Sequence, residues 1–215
     1  MTVRGRFARQ ISLELSAELI PYPVLQGNWI RRQRMFFVGT APLSAEGHVN
    51  VSPKGPIESL RVLGARQVAY LDLIGSGAET IAHLRENGRV VLMFCAFEGP
   101  PRIVRLHGRG RVVQVGEPGF DDLKAKLDFG SLPAARDAAR AIITIDVERI
   151  SDSCGYGVPL MHYQGERPQQ MDWIASKLRN GDDALLEYVA ENNATSIDNL
   201  ASVDPSLLHR HESGA

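Results

Sequence analysis

The chain has 215 residues, is 44% hydrophobic and 23% charged, and carries a formal net charge of −1. That length suits one domain with a sizeable core, and the near-zero charge argues against an extended nucleic-acid or anionic-membrane footprint. Its two cysteines, Cys95 and Cys154, show neither metal-ligand spacing nor a disulfide framework. No signal pattern opens the chain and no apolar run approaches membrane-spanning length, so cytoplasmic residence is the default expectation.

Residues 1–33 read as an irregular lead-in with a short amphipathic piece at 16–19, closed by Pro21 and Pro23. The cluster Arg31-Arg32-Gln33-Arg34 reads either as a solvated loop or as cations near an anionic ligand. Residues 35–40 are apolar and bounded by Pro42, as expected of a buried strand. Residues 47–52 alternate, with Val49 and Val51 on one face and His48, Asn50 and Ser52 on the other. The connection through Ala45-Glu46-Gly47 reads as a hairpin turn. Residues 57–62 predict weak pairing, and 67–74 a clear strand.

A helix-start signal follows in Gly75-Ser76-Gly77-Ala78-Glu79-Thr80. Ser76 is a candidate N-cap, and Glu79 falls at the capping-box spacing. Ile81 and Leu84 share the apolar face, and Asn87-Gly88 gives the stop. Residues 89–97 form a long apolar strand, with Cys95 expected to act as a small hydrophobe. Gly99-Pro100-Pro101 then turns the chain into a strand over 102–115. A second helix is expected around 119–127, then a loop with another turn of helix, and an apolar strand over 141–147. Beyond Ile150 the segment 151–163 is loop-like, two helices are expected near 167–178 and 182–191, and the residues from about Asn192 look polar and poorly tied down.

Strands therefore dominate 35–150. Short connections imply antiparallel pairing, and barrel closure would remove exposed edges. The expected units are a lead-in (1–33), a barrel (34–150) and a C-terminal loop and helical extension (151–215).

Several residues could carry chemistry. The first backbone N–H groups of a helix at 77–79 have no intrahelical acceptor, and Ser76 and Thr80 hydroxyls could add donors for a phosphate. An ordinary capped helix accounts for the same residues. The turn lacks the Gly-Lys-Ser/Thr ending of a Walker loop. Lys54, in Ser52-Pro53-Lys54-Gly55, could place a point charge over a phosphate or a cofactor carbonyl, or simply sit in a surface turn. In Arg102-Ile103-Val104-Arg105-Leu106-His107-Gly108, Arg105, His107 and Arg109 share a face, suited either to an anionic ligand or to surface salt bridges. The loop Ser153-Cys154-Gly155-Tyr156-Gly157-Val158-Pro159 could lay a tyrosine ring on a planar cofactor or serve as a connector.

In this order, the motifs ending in Lys54, beginning at Ser76 and running through Arg102, Val104, Arg105 and Gly108 resemble the pyridoxamine 5′-phosphate oxidase-like split barrels. The resemblance covers roughly residues 30–150. It implies a mainly β fold, a split antiparallel barrel binding FMN, in a homodimer with the flavin at the interface. It implies cofactor-binding roles for Val51, Ser52, Pro53, Lys54, Tyr70, Asp72, Gly75, Ser76, Gly77, Ala78, Thr80, Arg102 and Arg105, with hydride or electron transfer at the flavin. A deazaflavin coenzyme in the same barrel, or a non-catalytic flavin- or haem-binding protein, are the alternatives. Gly77 and Ala78 stand where the oxidase has an Arg-Lys pair, and Ile103 replaces its glutamine, so oxidation of pyridoxamine phosphate itself is not expected. No metal and no catalytic acid or base is expected from the residues.

Overall fold

The computed structural model describes residues 29–130, 132, 138–181 and 183–208. Seven strands make one antiparallel sheet: β1 (Phe36–Thr40), β2 (Asn50–Lys54), β3 (Leu60–Gly64), β4 (Gln67–Leu73), β5 (Arg89–Cys95), β6 (Ile103–Gln114) and β7 (Ala139–Ser153). Their order is β2-β1-β5-β6-β7-β4-β3. Among the described residues four α-helices accompany them: α1 (Glu79–Asn87), α2 (Phe120–Leu127), α3 (Gln169–Arg179) and α4 (Ala184–Asn192).

Alternating burial drives the sheet to curl. Phe36 and Val38 of β1, Leu92 and Phe94 of β5, Val104 and Leu106 of β6, Ile143 and Ile145 of β7, and Val68 and Tyr70 of β4 form one buried cluster. β1 and β4 stand four strand spacings apart, about 19 Å on a flat sheet. Yet the Phe36 and Tyr70 rings meet edge-on with centroids 5.5 Å apart, and Phe36 stacks on Phe94 at 5.7 Å. The sheet has therefore rolled around its core into the expected split barrel. On its outer side Ala69, Leu71 and Ile142 pack under Phe120 and Leu127 of α2 in a second apolar cluster.

Most element expectations hold within a few residues. β2 starts later than its hydrophobic alternation suggested and runs on to Lys54, because its ladder with β1 pairs Asn50 with Thr40 and Lys54 with Phe36. A 3₁₀ turn over Ile57–Ser59 occupies the start of the weak-pairing stretch, and β3 follows it. β7 is much longer than expected, reaching Ser153, which pairs with Ile103 and so absorbs the start of the predicted loop. The predicted piece at 16–19 lies outside the described residues, as does most of the predicted helical turn after α2.

Two features differ in kind. The helix at 79 begins three residues after Ser76, with Ala78 as its N-cap, so Ser76 does not cap it. Gly88 in the left-handed region (φ 71°) closes it as expected. The stretch 193–208, expected to be loose, is tied down. Val203 N–H donates to Asn193 O (3.0 Å), Ser202 N–H to Ala194 O (2.9 Å), and Thr195 bridges Ala201, making a small hairpin. Gln114 of β6 then holds Asp204 at both ends, its amide donating to Asp204 O and its oxygen accepting from Asp204 N–H, each at 2.8 Å.

Among the described residues no helix is long and apolar enough to cross a membrane.

Candidate functional site

A cleft of about 310 Å³ opens where the end of β2 faces β4 and the start of α1. Its walls include Ser52, Pro53, Lys54 and Gly55, then Gly75, Ser76, Gly77, Glu79 and Thr80, with Arg140 and Gln170.

The floor is an ion triad. On β4, Asp72 continues the inward face of Val68 and Tyr70 and is 1% exposed. Lys54 Nζ donates to Asp72 Oδ1 at 2.7 Å, a bond that crosses the split between β2 and β4. Arg140 grips the other oxygen, Oδ2, through Nε (2.9 Å) and Nη2 (2.7 Å). Arg140 owes its direction to a β-bulge. Asp72 pairs with Ala141 and Leu73 with Ala139, which leaves Arg140 as the extra residue of β7. Strict alternation would put it with Ile142 under α2; the bulge re-aims it toward Asp72. Burial alone would raise the Asp72 carboxyl, but the Arg140 guanidinium and then the Lys54 ammonium outweigh it and hold the carboxyl below its usual range. Two cations against one anion leave the floor with net charge +1. Lys54 is the member with donors to spare, since an ammonium has three and Asp72 takes one.

The turn at 75–78 forms the facing wall, and its carbonyls are tied back. Gly77 O accepts from Arg140 Nη1 (2.9 Å), which also reaches Gly75 O at 3.4 Å. Asn193 Nδ2 donates to Gly75 O (2.9 Å) and lies 3.4 Å from Ser76 O. Ala78 O accepts from Ser202 Oγ at 2.8 Å. In a trans peptide the N–H points opposite to the carbonyl. Carbonyls drawn inward at 75, 76 and 77 thus turn the N–H groups of 76, 77 and 78 outward. The start of α1 adds its own unpaired donors. An anion already occupies part of this cradle: the Glu79 carboxylate accepts from Ala78 N–H at 3.1 Å.

Two hydroxyls of the cleft are oriented from behind. Asn50 Nδ2 donates to Thr80 Oγ1 (3.0 Å) and to Thr40 Oγ1 (3.2 Å), while its Oδ1 accepts from Ser52 Oγ (2.9 Å). Thr80 thereby keeps its proton for a ligand and Ser52 its lone pairs. Behind them His83 is fully buried against Thr40 Oγ1 (3.0 Å), and burial lowers its pKa so that it stays neutral.

The sequence-predicted residues divide accordingly. Ser52, Pro53, Lys54, Gly75, Ser76, Gly77 and Thr80 come together around the cleft, with Asp72 beneath them. Ala78 is buried in the turn. Val51, 64% exposed, points to the outer side of β2, and Tyr70 is sealed inside the barrel. Arg102 and Arg105 line no part of this cleft. Arg102 pairs with Asp152 and lies over the Trp29 ring (5.2 Å), and Arg105 Nη1 meets Ser153 Oγ at 3.2 Å. The loop carrying Tyr156 leaves that ring 82% exposed, and Gly155 (φ 67°) packs against the Arg102 backbone with no space for a Cβ. Arg140, Gln170, Asn193 and Ser202 are additions; an arginine at the very start of an apolar strand is the sequence signal for the first of them.

Because Glu79 competes for the cradle, Glu79→Gln should tighten binding of anionic ligands by about two- to fivefold, the scale of one charge at a helix terminus. Titration with a phosphorylated ligand checks this, and weaker binding would show that Glu79 helps to build the site.

The fold is a split antiparallel β-barrel whose open side holds the Lys54–Asp72–Arg140 triad beside the turn at 75–78. This chain belongs to the pyridoxamine 5′-phosphate oxidase family: the family's sequence model matches residues 27–154, more than half of the chain. A curated relative, the pyridoxamine 5′-phosphate oxidase family protein ustO of Aspergillus flavus, is 37% identical over 198 residues, covering 86% of this chain and 77% of that one. Among solved structures, an FMN-binding protein from Syntrophomonas wolfei is 17% identical with a TM-score of 0.41, covering 73% of this chain and 98% of that one. A protein from Clostridium acetobutylicum related to general stress protein 26 is 14% identical with a TM-score of 0.43, covering 63% and 91%.

Proposed function

We propose that this chain binds flavin mononucleotide in the cleft and acts as a flavin-dependent oxidoreductase. The reading is supported by the turn at 75–78, whose carbonyls accept from Arg140, Asn193 and Ser202 and which lines the same cleft as Lys54. That donor set fits a phosphate: outward amides, the Ser76 and Thr80 hydroxyls, and one ammonium with free protons. The backbone of Ser52 and Pro53 would hold the ring end. The bound flavin would supply hydride or electron transfer. The chain's own part is to fix the phosphate, keep Asp72 charged beneath it, and present Lys54.

A homodimer with flavin between the protomers belongs to the same proposal. It would give Arg105, which faces outward from β6, a flavin to reach.

The cleft's charges argue against pyridoxamine phosphate as the physiological substrate. Arg140 is consumed by Asp72 and the turn carbonyls, and Lys54 alone remains to meet a phosphate. A second phosphorylated ligand would need its own clamp. With flavin mononucleotide bound and oxygen present, pyridoxamine phosphate should turn over well below about 1 per second, whereas a reduced nicotinamide dinucleotide should bleach the flavin under anaerobic conditions. Pyridoxal phosphate formation at about 1 per second or faster, the range of ordinary enzymes, would overturn this assignment.

A further inference from the structure

We propose that Asn193, with the C-terminal hairpin that carries it, is a positioning residue for the phosphate end of the cleft; this rests on the flavin-phosphate reading above. The two ends of the contact lie 118 residues apart in sequence, and the helical extension brings them together. Asn193 closes α4, its backbone N–H donating to Val189 O at 2.8 Å, and its side chain is 0% exposed. From there one amide nitrogen reaches Gly75 O and Ser76 O. A side-chain amide carries two N–H protons, one for each of two successive carbonyls.

The other half of the amide is the telling part. Asn193 Oδ1 is buried with no hydrogen-bond partner among the described residues. A buried acceptor without a partner is unfavourable, and leucine of similar volume would avoid it. Leucine would also leave Gly75 O and Ser76 O without this donor, so what an asparagine supplies here is donation to the turn. Ser202, nine residues on, repeats the arrangement by donating to Ala78 O. The hairpin is anchored at two further points. Asp198 accepts from His48 N–H (2.8 Å) and lies 2.7 Å from His48 Nδ1, and Asp204 is held by Gln114. Together Asn193 and Ser202 keep the carbonyls turned away, and so aim the N–H groups at the ligand.

The test compares dissociation constants for flavin mononucleotide and riboflavin in the full-length protein and in Asn193→Leu, Asn193→Asp and Ser202→Ala, with a thermal melt of each. In Asn193→Leu the flavin mononucleotide affinity should fall about tenfold with riboflavin affinity little changed, in a protein that still melts cooperatively a few degrees lower for the lost hydrogen bonds. Asn193→Asp, which sets a carboxylate against two carbonyls, should lose more. Ser202→Ala should lose about threefold, and it decides the matter if both Asn193 variants fail to fold. Equal loss for both ligands, or an intact preference for the phosphorylated one in a folded Asn193→Leu, would overturn the positioning role. A wild-type protein with no preference between the two ligands would overturn the flavin-phosphate reading itself, and this inference with it.

Discussion

Asp72→Asn should be the most damaging single substitution on the floor of the cleft. The variant keeps the shape and removes the charge, leaving the 3%-exposed Arg140 and the Lys54 ammonium facing each other without a counterion. Breaking a buried ion pair from one side costs about 3–5 kcal/mol. For a chain of this size that corresponds to a melting temperature lower by roughly 10 °C or more. Acid should act on the same group. The folded carboxyl lies below its unfolded value of about 3.9, so its stabilisation is complete above that pH and is lost as pH falls through the folded value. The wild-type protein should lose stability steeply below about pH 4, and Asp72→Asn should lose that part of the slope. Asp152→Asn, which breaks the more exposed pair with Arg102, should shift the melt little. Equal melts for the two variants would mean that the triad is not what holds this end of the barrel.

Gly77→Asp should abolish most of the preference for a phosphorylated ligand. Gly77 has an ordinary negative φ, so an L side chain adds no backbone strain. A Cβ there would approach Glu79 Oε2 to 3.2 Å, and that flexible carboxylate can move. The fold should survive, but an aspartate would set a second negative charge where the phosphate is proposed to sit. Losing the charge-assisted contacts predicts a drop of about ten- to a hundredfold in flavin mononucleotide affinity. Riboflavin affinity should change little, and Gly77→Ala should remain within about twofold of wild type. Equal loss of both ligands in Gly77→Asp would point to a disturbed fold rather than a lost phosphate seat.

The parts of this site that the sequence revealed are those with local signals. Val49 and Val51 alternate against Asn50 and Ser52, which sets the direction of Lys54 along β2. The apolar runs of β4, β5 and β7 mark the barrel, and Asn87-Gly88 marks the end of α1. The start of that helix misleads because Ser76 and Glu79 have capping-box spacing. Arg140, Asn193 and Ser202 instead take the carbonyls of 75–78 from 63 to 124 residues away, and Glu79 turns to the Ala78 N–H. Arg140 was hidden by a bulge, since period-2 alternation points it at the wrong face. The C-terminal hairpin was hidden by composition: polar residues there satisfy one another and the turn, so a low apolar content accompanies an ordered segment. Arg102 and Arg105 show the converse. Their spacing points to a ligand, but Arg102 is spent on Asp152 and Arg105 faces away from the cleft.

The most direct measurement is the pair of dissociation constants of the wild-type protein for flavin mononucleotide and riboflavin, from fluorescence titrations in low salt. The two ligands share a ring system and differ in the phosphate, so their ratio reads the cradle made by residues 75–80 and Lys54. Flavin mononucleotide should bind at least about tenfold more tightly, the worth of one charge-assisted contact. Equal affinities, or no binding of either flavin, would contradict it.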